Sequence, residues 1–171
     1  AQMILDFLEQ EVLPEVDIHD VVGINETLSL TIHLFNALPS IDIQKILYRG
    51  GMFGTSIDKM LDKIYEVRGE VRRKFISNCL FLARDIEEED RKSKCVSKIA
   101  SKYAENGNSE YADAAFEEGL RIAQSINIDR KCAESLSYLA VELSKNQDDR
   151  ESHRHASTIF KEALKAARSI D

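Results

Sequence analysis

Proline is nearly missing from this sequence. Two prolines and seven glycines among 171 residues amount to about 5%, against about 12% in an average globular chain. None of the residues from Thr55 to Asp171 is proline, and a stretch that long without the strongest helix breaker points to long helices. Extended apolar runs are missing too. The longest is a few residues, and no basic-then-apolar leader opens the chain, which rules out a membrane span in this sequence and argues against a secretory signal, so a cytoplasmic location is expected. Cysteine is scarce and unpaired in pattern: Cys79, Cys95 and Cys132 are odd in number and show neither CxxC nor zinc-type spacing, which predicts reduced, packed thiols and no disulfide framework.

Basic residues are missing from one region only. Residues 1–44 hold eight acids and no Lys or Arg, whereas residues 45–171 hold 22 acids and 23 bases, so the whole net charge of −7 originates in the first quarter. That balance disfavours a nucleic-acid-binding surface unless basic residues cluster on one face, and in the sequence they do not cluster strongly. The acidic segment reads either as a solvated helix face or as a docking surface for a basic partner, with Glu9, Glu11 and Glu15 as its candidate residues. Met3 to Leu13 reads as a helix ended near Pro14. Leu28 to Leu34 alternates with a period of two, but Leu28, Ile32, Phe35 and Leu38 also fit one helical face and no second strand is available, so a buried helix is expected.

What is present is a repeat. Leu82-Ala83-Arg84-Asp85-Ile86, Ile122-Ala123-Gln124-Ser125-Ile126 and Ala166-Ala167-Arg168-Ser169-Ile170 close successive amphipathic segments, and aligning Ala83, Ala123 and Ala167 gives spacings of 40 and 44 residues. Asp90-Arg91-Lys92 and Asp129-Arg130-Lys131 follow the first two endings, each Asp placed to cap a helix. Helical texture at such a period marks a stacked array of antiparallel helix hairpins. Within one period, Val96, Ile99, Ala100 and Tyr103 form a stripe. Asn106-Gly107-Asn108-Ser109 supplies a stop and a cap, and Tyr111, Ala112, Ala115, Phe116, Gly119, Leu120 and Ala123 form the facing stripe. The next period sets Leu136, Leu139, Ala140 and Leu143 against Ala156, Ile159, Phe160, Ala163, Leu164 and Ala167. Upstream, Ile57, Met60, Leu61 and Ile64 give a first helix and Val71, Phe75, Cys79, Leu80 and Ala83 a second. Either Arg68-Gly69 breaks them apart or the two merge into one.

Ile99-Ala100-x-x-Tyr103, Gly107, Ala112, Phe116 and Gly119-Leu120 resemble the tetratricopeptide repeat, and Leu139-Ala140-x-x-Leu143, Ala156, Phe160 and Ala163-Leu164 resemble it again with a longer turn. The period exceeds that family's 34 or so residues, and its closing proline is replaced by Gln124 and Arg168. The resemblance implies an all-α superhelix of hairpins over residues 45–171, with best units 93–126 and 131–171, preceded by the acidic segment 1–44 in one continuous domain. It also implies a groove lined by the exposed face of each first helix, which places Ser97, Ser101, Ser137 and Val141 on one exposed wall as candidate partner-binding residues. The Lys, Asn or Arg with which some members clamp a terminal carboxylate are not at those positions.

No catalytic constellation accompanies the repeat. Gly50-Gly51-Met52-Phe53-Gly54-Thr55-Ser56 lacks the Lys-Ser/Thr pair of a phosphate-binding loop and reads as a hinge. His153 and His155 point about 200° apart on a helix and cannot chelate one ion. No cofactor and no metal are expected. The reading is therefore a non-enzymatic module that binds a protein or peptide on a concave face. Its alternative is a self-associating regulatory or ligand-sensing helical domain of a larger signalling protein. The apolar phase in which the sequence stops predicts continuation in a longer parent chain or a homodimer.

Overall fold

The computed structural model describes Ser29, Ile32, His33 and Asn36, then residues 55–145 and 150–170. Every regular element among the described residues is helical, as the proline deficit requires: α1 (Thr55–Asp62), a 3-10 turn (Ile64–Glu66), α2 (Gly69–Arg84), α3 (Glu89–Glu105), α4 (Ser109–Ser125), α5 (Asp129–Ser144) and α6 (Arg150–Arg168). No described helix is long and apolar enough to cross a membrane. The chain divides into two compact units, 1–82 and 83–171.

In the first unit the stretch between Ile57 and Leu82 is broken. Ile57, Met60, Leu61 and Ile64 are buried on one side of the break, and Phe75, Ile76, Cys79 and Leu82 on the other. The break is held open by side chains that occupy backbone groups a continuous helix would have paired. Asn36 donates its Nδ2 to the Glu66 carbonyl at 2.9 Å and accepts the Arg68 amide on Oδ1 at 2.8 Å. Arg72 donates Nε and Nη2 to the Val67 carbonyl at 3.2 and 3.0 Å. Ser29, Ile32, His33 and Asn36 are helical, with Ile32 buried and His33 exposed, in agreement with a helix in that segment. The acidic candidates Glu9, Glu11 and Glu15 lie outside the described residues.

In the second unit α3 packs on α4, α5 on α6, and both α3 and α4 pack on α5. α3 ends in a Schellman motif. Gly107 takes φ 71°, its amide bonds the Ala104 carbonyl and the Asn108 amide bonds the Tyr103 carbonyl, both at 2.9 Å. The chain then reverses so that Tyr103 stacks on Tyr111 at 5.5 Å, while at the far end the Ser93 hydroxyl donates to the Gly119 carbonyl at 3.0 Å. These two contacts fix α3 and α4 as antiparallel. Gly119 stands at a close approach, since a Cβ there would lie 3.0 Å from both Leu139 Cδ1 and Ser97 Oγ and would make both side chains shift.

Capping differs from expectation. Asp90 and Asp129 are not N-caps. They sit in the first turns of α3 and α5, while Glu88 and Ile128 occupy the cap positions without side-chain cap bonds. Carboxylates in the first turn still favour the positive helix end, and Asp90 is drawn away to Lys131.

The expected stripes Val96, Ile99, Ala100 and Tyr103, and Leu136, Leu139, Ala140 and Leu143, are buried. The stripe on α6 divides. Ala156, Ile159 and Ala163 are buried, but Phe160 is 40% and Leu164 55% exposed, and Ala167 is exposed, because α6 is covered on the α5 side and not on the opposite one.

Candidate partner-binding surface

Three contacts tie α3 to α5 at nearly constant separation. Lys131 Nζ donates to Asp90 Oδ1 at 3.0 Å, Lys94 Nζ lies 3.7 Å from Glu134 Oε2, and the Ser101 hydroxyl donates to the Glu142 carbonyl at 3.2 Å. Residues 40 or 41 apart are therefore neighbours along the whole length of both helices, which stack in parallel. Corresponding side chains of α3 and α5 accordingly form one continuous face.

The four serine and valine positions divide between the interior and that face. Ser97 and Ser101 are 0% and 1% exposed, Ser137 is half-buried and Val141 is 44% exposed. The expected exposed wall is thus corrected for Ser97 and Ser101. Ser93, Ser97 and Ser101 recur every four residues along α3 and form its contact with its neighbours. Ser97 donates to the Ser93 carbonyl at 2.7 Å, Ser93 reaches Gly119 and Ser101 reaches Glu142. Small hydroxyl side chains that bond to carbonyls let helix axes approach closely and leave no buried donor idle. Among the α3 positions that do reach the surface are Arg91, exposed, and Lys94, Lys98 and Lys102, half-buried, which form one row. Sequence reasoning missed this row, although its spacing of three and four residues was readable. Opposite it, α5 contributes Lys131, Glu134, Tyr138 and Val141. The surface is mainly cationic on α3 and mixed on α5, with an exposed valine and a half-buried tyrosine as its apolar elements. The Asp90 carboxyl is held below its ordinary range by the Lys131 hydrogen bond, partly opposed by burial.

A second feature lies across α4. Arg84 donates Nε and Nη2 to the two oxygens of Glu118 at 2.9 and 2.7 Å. This bidentate bond lowers the Glu118 carboxyl below its usual range and raises the Arg84 guanidinium. With Arg121, Ile122 and Ser125 the pair lines an open depression of about 410 Å³. Both members of the pair being engaged with each other, it offers no nucleophile and no free acid or base.

Among the described residues no group of three or more His, Cys, Asp or Glu is arranged to hold a metal. None of the three cysteines forms a disulfide, Cys79 and Cys95 being buried and Cys132 half-buried, and burial, reinforced by Asp129 and Glu162, pushes the Cys132 thiol up and away from the reactive thiolate. In comparisons with known proteins, no family model, no curated protein and no solved structure matches this chain.

Proposed function

We propose that this chain is a non-enzymatic protein-interaction module built from tetratricopeptide-like helical hairpins, which holds a protein or peptide segment along the joint face of α3 and α5. The observation that carries this reading is the parallel register of the two helices through Asp90–Lys131, Lys94–Glu134 and Ser101–Glu142. Register of this kind makes a surface broader than either helix alone and is how stacked repeats build extended binding faces. Lys94 and Lys98 on α3, with Ser137, Tyr138 and Val141 on α5, are the contact residues of the proposal. Val141 supplies an apolar anchor, and the lysines fix the orientation of a segment with acidic groups. Three cysteines outside any disulfide fit a reducing, cytoplasmic setting.

Selection of a displayed peptide library on the immobilised chain, followed by titration of the selected peptides, tests the reading. Peptides should be recovered whose binding falls with Val141→Arg and with Lys98→Glu while the melting temperature is unchanged. Recovery of peptides indifferent to both variants would move the binding site elsewhere, and recovery of none would remove the reading.

A further inference from the structure

α4 and α6 carry the same apolar stripe in different surroundings. Phe116, Leu120 and Ala123 of α4 correspond to Phe160, Leu164 and Ala167 of α6. On α4 they are 6% exposed, half-buried and 0% exposed, and α5 packs against that helix. On α6 they are 40% exposed, 55% exposed and exposed. The internal copy thus shows what this stripe accepts: a further helix laid along it.

The charges beside the stripe state the chemistry of that helix. Arg154, Lys161, Lys165 and Arg168 lie along one flank of α6 and all are exposed. The corresponding residues of α4 are Glu110, Glu117, Arg121 and Gln124, so the basic flank belongs to α6 alone. Lys165 and Arg168 also suit the negative end of their helix, but Arg154 and Lys161 stand too far from it for that to account for them. A recurring polar link adds to this. Arg84, at the end of α2, bonds Glu118 of α4, and Gln124, at the same point of α4, donates to Glu162 of α6 at 3.1 Å. Arg168 is next in that series, and it has no carboxylate partner among the described residues.

We infer that the exposed stripe of α6, with its basic flank, is a docking surface for an amphipathic helix of a partner protein that carries acidic residues along one edge of its apolar face, one of them meeting Arg168. The site is separate from the α3–α5 face and stands independently of the function proposed there. A second copy pairing through its own α6 fits less well. A two-fold axis between antiparallel α6 helices sets basic flank against basic flank, and like charges opposed across an interface lower affinity.

The test titrates the full chain with a synthetic amphipathic helical peptide bearing glutamates on one flank, and with the same peptide bearing lysines, by fluorescence anisotropy. The acidic peptide should saturate, lose affinity as salt rises, and bind at least about tenfold more tightly than the lysine form. Leu164→Asp should abolish its binding, and Lys161→Glu with Arg168→Glu should weaken it, with melting temperatures unchanged because these side chains are exposed. Equal binding of the two peptides, or none of either, overturns the inference. So does binding that survives Leu164→Asp and is lost on Lys94→Glu with Lys98→Glu, which would assign the peptide to α3. Sedimentation decides on the second copy: a monomer supports the inference, and a dimer dispersed by Leu164→Asp overturns it.

Discussion

The α3–α4 and α5–α6 hairpins are written in nearly the same pattern, yet the second helices of the two are buried to different depths. Phe116 is 6% exposed and Phe160 40%. The residue type, its phase on the helix and its partner helix correspond, so the difference comes from what lies on the far side. An amphipathic stripe records that a face is apolar, and the next element in the stack determines whether it is covered.

Arginine scanning should show the largest contrast. Ser101 is buried between α3 and α5, so Ser101→Arg forces an unpaired charge into packed helices and should cost more than about 3 kcal/mol. Val141→Arg, at an exposed position of the neighbouring helix, should stay within about 0.5 kcal/mol. Equal denaturation midpoints for the two variants would break the assignment of Ser101 to the interior. Truncating the two phenylalanines addresses the comparison directly. Phe116→Ala should cost about 3–5 kcal/mol as a large core deletion, and Phe160→Ala no more than about 1–2 kcal/mol because much of that ring is already in water. Similar losses at both would mean that the outer face of α6 is covered in solution.

Overpacking ranks next. Gly119→Leu should cost about 1–3 kcal/mol by thermal or urea unfolding, since even the Cβ meets Leu139 and Ser97 at 3.0 Å. The smallest effect concerns the bidentate link of Arg84 to Glu118. Because the folded carboxyl is lowered from its ordinary 4.5 by the Arg84 bond, its contribution is present above that value and lost as the pH falls through the lower folded one. With Arg84 half open to solvent, the contribution should not exceed about 1 kcal/mol. The stability difference between the wild type and Glu118→Gln should therefore be small at neutral pH and vanish on acidification below the carboxylate range.

Much of the fold was legible in the sequence. The helical period and the Gly107 stop located α3 and α4, and the stripes through Ile99 and Leu139 are the buried ones. The candidate wall was legible only in part. A single apolar stripe on α3 suggested one buried side, but α3 meets both α4 and α5, so its buried arc extends to the serines. Serine is polar by composition and small by volume. At Ser97 and Ser101 volume decides, because a hydroxyl can return its hydrogen bond to a helix carbonyl while the neighbouring axis comes close. The break before α2 was ambiguous for another reason: it depends on Asn36, a residue more than two dozen positions away, and no local pattern reports such a contact.

The register that joins α3 to α5 also bears on how the chain opens. Asp90–Lys131, Lys94–Glu134 and Ser101–Glu142 each reach one repeat onward, so the second unit is held together by links between neighbours. α6 packs chiefly on α5. In such a stack, opening begins where a helix has fewest neighbours. Amide hydrogens of α6 should therefore exchange ahead of those of α3, with α5 between them, and a ligand seated on the outer face of α6 would slow exchange from that end inward.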